Sequence, residues 1–288
     1  MVESMSYLDF HTEARKCIEI QSHLSTCLYN WAVAHTLHEQ QVICWSTTTA
    51  YYAMMHSART LFSLIEFDRR LEYPFKPSQT KRERLREITK FHGQFCSFLK
   101  NEKLNQNDKA LRNLCIECFR EHFPHMNWPL FLKSIGILLA LHKKAREAET
   151  YEHFVVAHHG RGYHFEAPFI ETIYQKSEED ANKHIPEILS YVLKFYRSQS
   201  PMLSYHLWHL KDELKWLEKT LSKEKLLVSS EMHTFLNSVK GLVKNAEMPA
   251  KYSDFEREMD MNYYTYKGEV YGRLKDLAGE LTGDVPVR

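Results

Sequence analysis

An arginine and a histidine stand seven positions apart in the middle of the chain, and their chemistry suits a phosphate ester. Arg146 carries a planar, permanently charged guanidinium that can hold two phosphate oxygens at once. His153 carries an imidazole that exchanges protons near neutral pH. On one helix the two side chains would face the same side to within about 20° and lie about 10 Å apart along the axis. One chain would then present them as a strip and not as a touching pair.

A second group of basic and titratable residues follows directly, in the segment AHHGRGYHFE. It contains His158, His159, Arg161 and His164 around two glycines. Three uses of this segment are open: contacts with RNA phosphates, a metal site with two of the histidines as ligands, or an exposed polar loop without a ligand. A metal-dependent enzyme built on this loop is therefore one functional hypothesis.

Two further clusters favour structural roles. Cys115, Cys118, His122 and His125 are spaced like metal ligands, but they would come from one helical region. Structural zinc sites usually take ligand pairs from separate elements, so we expect buried thiols here. The stretch 81–90 alternates basic residues with glutamates and is typical of a solvated helix face, with steering of RNA as the alternative.

Composition limits the fold and the global charge. The chain has 288 residues, of which 43% are hydrophobic and 26% charged, as in an ordinary globular protein. Only 9 glycines occur, which argues against an all-β fold with many tight turns and against glycine-rich phosphate loops. The net charge of +1 does not indicate nucleic acid or a membrane, although the 17 histidines make the surface potential sensitive to pH near the imidazole range.

Cysteine usage and the apolar segments bear on the compartment. The 6 cysteines are scattered through a chain that is large enough to fold without disulfides. The opening residues MVESMSYLDF lack the basic and apolar regions of a signal peptide, and the longest apolar stretch, 135–141, is too short to span a bilayer. We therefore expect a cytoplasmic protein that does not insert into a membrane.

The hydrophobic pattern predicts helices throughout. They are expected over 6–30, 37–66, 81–99, 108–122, 128–148 and 177–197, with further helices after 201. Thr80 and Glu83 have the spacing of a capping box. Residues 154–176 look irregular, Pro186 should kink or break its helix, and the segment 198–201 is the best internal boundary.

Four segments, in this order, resemble HEPN-domain proteins. Ala50–Arg59 reads AYYAMMHSAR and is similar to the A-Y-Y-A-M-F-H-A-A-R helix of the small bacterial and archaeal HEPN-like group. Lys90–Phe95 resembles the K-x-H step of the family, and Ala145–Tyr151 resembles its R-x-x-A-x-Y step. Ser177–Ala181 mirrors the acidic start of the last family helix. The resemblance covers about residues 6–197.

The resemblance implies an all-α fold, with a HEPN-like antiparallel helical bundle over 1–198 and a helical extension of unknown role over 199–288. HEPN nucleases carry an R-x4–6-H motif, which Arg146 and His153 fit. The implied activity is metal-independent endoribonuclease cleavage without a cofactor. His153 would assist attack by the ribose 2′-OH, and Arg146 would stabilise charge on the phosphoryl oxygens. A homodimer would bring two such motifs into one cleft.

Further site residues and partners complete this expectation, the histidine-rich segment through its residue types and the others through the resemblance. Tyr151, Arg59 and the residues of the histidine-rich segment are expected to contact RNA. A toxin or an antiviral defence effector, restrained or activated by a protein partner, is the implied role. In the alternative interpretation Arg59, Arg146 and Tyr151 tie the bundle together through buried hydrogen bonds. The chain would then be a non-catalytic helical module that binds a partner protein or a nucleotide.

Overall fold

The computed structural model describes residues 7–66, 68–147, 167–198 and 203–247, and this part of the chain is mostly helical. Within it, one short hairpin interrupts nine α-helices, which confirms the all-α class. In chain order the elements are α1 (Tyr7–Glu39), α2 (Ile43–Ile65), a 3-10 turn (Arg69–Leu71), β1 (Pro74–Lys76), β2 (Gln79–Thr80), α3 (Lys81–Lys90), α4 (His92–Lys100), α5 (Gln106–His122), α6 (Trp128–Glu147), α7 (Ala167–Ser198), α8 (Leu203–Lys223) and α9 (Ser230–Val243).

The first two helices form the centre of the bundle. A short turn joins α1 to α2, and Gln41 adopts the left-handed conformation there, with φ 61°. The Val42 N–H donates to the Leu37 carbonyl at 2.8 Å, so the turn satisfies a carbonyl that the end of α1 leaves free. Helices α6 and α7 pack on α2 and close the core around Trp31, Tyr51 and Trp128, which are fully buried.

The helix predicted over 81–99 is in fact two helices, so that prediction was wrong at its centre. The capping box is confirmed, because Thr80 accepts from the Glu83 N–H and the Glu83 side chain accepts from the Thr80 N–H. The helix then stops at Phe91, whose backbone is extended. A tertiary contact stabilises this end: the Arg59 guanidinium donates to the Thr89 and Lys90 carbonyls, which the end of α3 leaves free.

Helix α7 also differs from its prediction. It begins at Ala167, ten positions before the expected start at Ser177, so the part of 154–176 from 167 onward is helical and not irregular. Pro186 lies inside α7 and does not end it. The helices expected over 108–122 and 128–148 are confirmed within two residues at each end.

Side-chain hydrogen bonds connect the last two described helices and the residues beside them to the rest of the bundle. From α8 the Glu213 carboxylate accepts from Ser25 at 3.0 Å, and Glu224 just beyond that helix accepts from Tyr29 at 2.7 Å. Ser229 caps the start of α9 and also donates to Asn182 on α7. The expected boundary at 198–201 coincides with the end of α7, and the division into two domains stays a prediction.

Gly136 allows the close approach of α6 to the end of α4, and its replacement tests that packing. A Cβ at this position would lie 2.7 Å from the Leu99 Cβ and 2.9 Å from the backbone nitrogen of Lys100. We expect Gly136→Ala to lower the free energy of unfolding by about 1–3 kcal/mol, because a packed backbone cannot give way. Urea unfolding measures this change.

Gly241 provides the matched control, since it is also helical and a Cβ there meets nothing within 4 Å. Gly241→Ala should raise the free energy of unfolding by up to about 1 kcal/mol through helix propensity. Equal effects of the two substitutions would contradict the packing of α6 on α4.

Candidate functional site

Arg146 lies on a platform of two tyrosine rings from α2. Its guanidinium carbon is 5.1 Å from the centre of the Tyr51 ring and 5.7 Å from that of Tyr52. One terminal N–H donates to the Tyr52 hydroxyl at 3.0 Å. Such cation–π contacts favour a fixed orientation of the guanidinium. The platform therefore holds the cation at the end of α6 in one place, half-buried.

Glu147, the next residue, does not fully neutralise this cation. Its carboxylate is 3.6 Å from an Arg146 nitrogen but only 2.6 Å from the Lys143 ammonium, one helical turn away. The closer pair is with the lysine. Because Lys143 and Arg146 carry two positive charges against the one carboxylate of Glu147, this end of α6 stays positive.

His92 sits beside the same platform, at the first position of α4. Its Nδ1 lies 2.7 Å from the Tyr51 hydroxyl, and its ring centre is 5.5 Å from that of Tyr51 and 5.8 Å from that of Tyr52. Burial and the charges of Arg59 and Arg146 lower the pKa of His92 to about 4. The imidazole is therefore neutral at physiological pH. Burial also raises the pKa of the Tyr51 phenol, so this hydroxyl keeps its proton.

Arg59 performs a structural task as well as contributing charge. It donates to the Thr89 carbonyl at 2.9 Å and to the Lys90 carbonyl at 3.0 Å, which are the last carbonyls of α3. A cation at a helix C-terminus is favourable because the helix dipole is negative there. Burial lowers the pKa of this guanidinium. The contacts agree with the interpretation in which Arg59 ties the bundle together.

A pair of histidines lies close enough to Arg59 to be affected by its charge. Nδ1 of His23 on α1 and Nδ1 of His56 on α2 lie 3.3 Å apart. Burial, followed by the charge of Arg59, lowers the pKa of His23 to about 4 and that of His56 to about 3. Both rings are neutral at pH 7, and one donates an N–H to the other.

An open cleft of about 320 Å³ runs along this side of the bundle between α1, α2 and α3. Its walls include His23, Arg59 and two carboxylates, Glu19 and Glu66. Arg86 joins the two carboxylates: it binds Glu66 and donates to both Glu19 oxygens at 2.8 Å. Burial raises the pKa of the Glu66 carboxyl.

The basic stretch 81–90 is not a simple solvated face, so that expectation was wrong. Arg84 donates to Asp108 through two nitrogens, each at 2.9 Å, and Arg86 binds the carboxylates of the cleft. Arg82 donates to the Glu66 carbonyl at 2.8 Å and to Glu72 at 3.0 Å. These guanidinium groups hold helices and loops together, which disfavours a role in steering RNA.

Two of the eight predicted site residues, Arg146 and Arg59, lie in the described part of the chain, and the other six do not. Arg146 and Arg59 both border the Tyr51–Tyr52 platform region, as their contacts and charge effects on His92 indicate. The remaining predicted residues lie outside the described residues: Tyr151, His153, His158, His159, Arg161 and His164. Sequence reasoning gave no site role to His92, Tyr51 or Tyr52. The signal was present, since these residues lie in two of the segments that resemble the HEPN family.

Metal binding and membrane insertion can be assessed in the described ranges only, and the histidine-rich segment lies outside them. No group of three or more histidine, cysteine, aspartate or glutamate side chains there is placed to hold a metal ion. Cys115 and Cys118 are buried free thiols, as expected. No helix in the same ranges has both the length and the apolar character needed to cross a bilayer.

Comparison with known proteins returns no family: no family model, no curated protein and no solved structure matches the chain. The functional argument therefore depends on the geometry of this chain and on the resemblance of its short segments.

The buried pair of His23 and His56 lowers the free energy of unfolding as the pH falls. The unfolded chain takes up protons as the pH falls below about 6.5, whereas folded His23 and His56 resist protonation down to about pH 4 and 3. Acidification from about pH 7 to 5 therefore favours the unfolded state through these two groups. We expect His56→Gln to reduce this loss, as measured by urea unfolding at both pH values.

The difference between wild type and variant is the quantity to compare, because Glu66 acts in the opposite direction. Its raised pKa makes the folded state gain a proton first, which stabilises it as the pH falls. His125→Gln is the control, since His125 is exposed. If the control and His56→Gln changed the pH dependence equally, the buried pair would not be its source.

Proposed function

We propose that this protein is a metal-independent, HEPN-type endoribonuclease that acts as a homodimer. In this proposal Arg146 binds the scissile phosphate, and His153 assists attack of the ribose 2′-OH on the phosphorus. The products are a 2′,3′-cyclic phosphate and a 5′-hydroxyl end. A role as a toxin or an antiviral defence effector belongs to the same proposal, as does a protein partner that restrains or activates it.

One observation carries the proposal: three segments that resemble the HEPN family meet at one place in the fold. Tyr51 and Tyr52 come from the segment AYYAMMHSAR, His92 from the K-x-H segment and Arg146 from the third segment. They are separated by about forty to ninety positions in sequence, yet direct contacts join them. A convergence of this kind is expected if the segments belong to one functional site.

The chemistry of Arg146 fits the task of a phosphate ligand. Its guanidinium has five N–H donors in a fixed fork, and the described contacts to Tyr52 use one of them. The tyrosine platform restricts its orientation, which reduces the entropy lost when a substrate binds. A fixed cation stabilises the charge that develops on the phosphoryl oxygens during attack. DNA lacks the 2′-OH and should resist cleavage.

The test is cleavage of a fluorescent RNA in EDTA by the purified full chain. We expect wild type to cut the RNA, and His153→Ala and Arg146→Ala each to lose about 100-fold or more in rate, because each removes a group that acts in the transition state. Arg146→Lys should recover only part of the loss, since an ammonium cannot hold two oxygens in a fork.

Lys144→Ala is the matched control, because Lys144 is exposed on α6 and lies two positions from Arg146. It should cut RNA at the wild-type rate. Full activity of His153→Ala would contradict the proposal. If wild type bound RNA or a protein partner but did not cut RNA, the non-catalytic binding module would be the better account.

A further inference from the structure

We propose that His92 is a second phosphate ligand beside Arg146, and that its imidazole takes up a proton when an RNA phosphodiester binds. The choice of RNA as the ligand rests on the proposed function. The proton uptake is a separate property of the cluster formed by His92, Tyr51, Tyr52, Lys143 and Arg146.

The geometry places His92 and Arg146 on one platform. Both side chains lie against the rings of Tyr51 and Tyr52, at distances between 5.1 and 5.8 Å from the ring centres. The Tyr51 hydroxyl occupies Nδ1 of His92. The other ring nitrogen, Nε2, is then the one that can meet a ligand, and the ring is half-buried and not enclosed. Because Arg146 and His92 contact the same two rings, we infer that an oxyanion held by the Arg146 fork also meets this imidazole.

The charges around His92 come from three helices. Helix α6 contributes Arg146, Lys143 and Glu147, and α2 contributes Arg59 together with the neutral His56. Cys96 on α4 keeps its proton, because burial raises its pKa. Three cations therefore face this imidazole against one carboxylate. A site with this excess of positive charge disfavours a further proton while it is empty, and it attracts an anion.

Binding of a phosphodiester reverses this balance. Burial and the charge of Arg59 contribute most to the lowered pKa of His92, followed by Arg146 and Lys143. The negative charge of the phosphodiester offsets part of the field of these cations, and this raises the pKa of His92. The imidazolium can then donate Nε2–H to a phosphate oxygen, while Nδ1–H donates to the Tyr51 oxygen. Tyr51 suits both states, because a phenol hydroxyl can donate to a neutral ring and accept from a charged one.

The coupling between proton uptake and ligand binding determines how the affinity for the phosphodiester changes with pH. A ligand that prefers the protonated protein binds more tightly as the pH falls toward the pKa of the free group. The pKa of free His92 is about 4. If the bound phosphate returns this pKa to about 6, the affinity rises roughly tenfold between about pH 7.5 and pH 5.

The experiment uses 2′-O-methyl oligouridylate as the probe and the full chain as the protein. The probe cannot be cleaved, since its 2′-hydroxyl is blocked, and neither its phosphodiesters nor its bases titrate in this pH range. Calorimetry in two buffers of different ionisation enthalpy gives the number of protons taken up on binding. We expect uptake at about pH 5.5 by wild type and a clearly smaller uptake by His92→Gln.

Two further variants test whether the proton uptake comes from His92 and its partner Tyr51. Tyr51→Phe keeps the imidazole but removes its hydroxyl partner, so it should weaken the pH dependence without abolishing binding, provided that its circular dichroism matches wild type. His125→Gln, at an exposed position, should keep the wild-type proton uptake. Equal uptake by wild type and a folded His92→Gln would overturn the inference, as would a failure of the probe to bind at pH 5.5.

The probe also separates this inference from the proposed enzyme activity. Proton-linked binding by a chain that never cuts natural RNA would support the phosphate site and contradict the nuclease. Cleavage of natural RNA, with no change of probe affinity between about pH 7.5 and pH 5, would support the nuclease and contradict the role of His92.

Discussion

The stacking of the Arg146 guanidinium on Tyr51 and Tyr52 is the interaction on which the site depends. It joins the end of α6 to the middle of α2, and the Tyr51 hydroxyl extends the same cluster to the first residue of α4. The close approach of α6 to α4 at Gly136 supports this arrangement from the other end of α4. The bundle thus places a cation and an imidazole against the same two tyrosine rings, and both residues are partly exposed.

A consequence of this packing is a group of cations and neutral imidazoles that the bundle holds in a partly buried position. Arg59 is held by two carbonyls at the end of α3. Burial, followed by the charge of Arg59, lowers the pKa of His23, His56 and His92. An anion that binds beside such a histidine raises its pKa and so favours the uptake of a proton. The same electrostatic arrangement therefore underlies both the expected pH dependence of stability and the proposed binding of phosphate.

Much of the architecture could be predicted from the sequence, because it depends on local signals. The capping box at Thr80 and Glu83 and the helices over 108–122 and 128–148 follow from capping residues and apolar periodicity. The break at Phe91 was missed because the helix pattern was continued through Gly93, and the contact of the distant Arg59 with the last carbonyls of α3 has no local signal. The early start of α7 was missed because Pro168 and nearby glycines suggested a loop.

In the candidate site, too, some features have a signal in the sequence and others depend on tertiary contacts. Arg146 and Arg59 were selected because they lie in segments that resemble the HEPN family, and their roles in a site stay predictions. The resembling segments contain His92 and Tyr51, but the 2.7 Å contact that joins these residues across forty-one positions is a tertiary feature that the segments do not specify.

End-group analysis of RNA that has been incubated with the purified chain in EDTA tests the central claim most directly. The account predicts fragments that end in a 2′,3′-cyclic phosphate, and no fragments from RNA of the same sequence with blocked 2′-hydroxyls. Fragments that end in a 3′-hydroxyl, or cleavage of the blocked RNA, would contradict it.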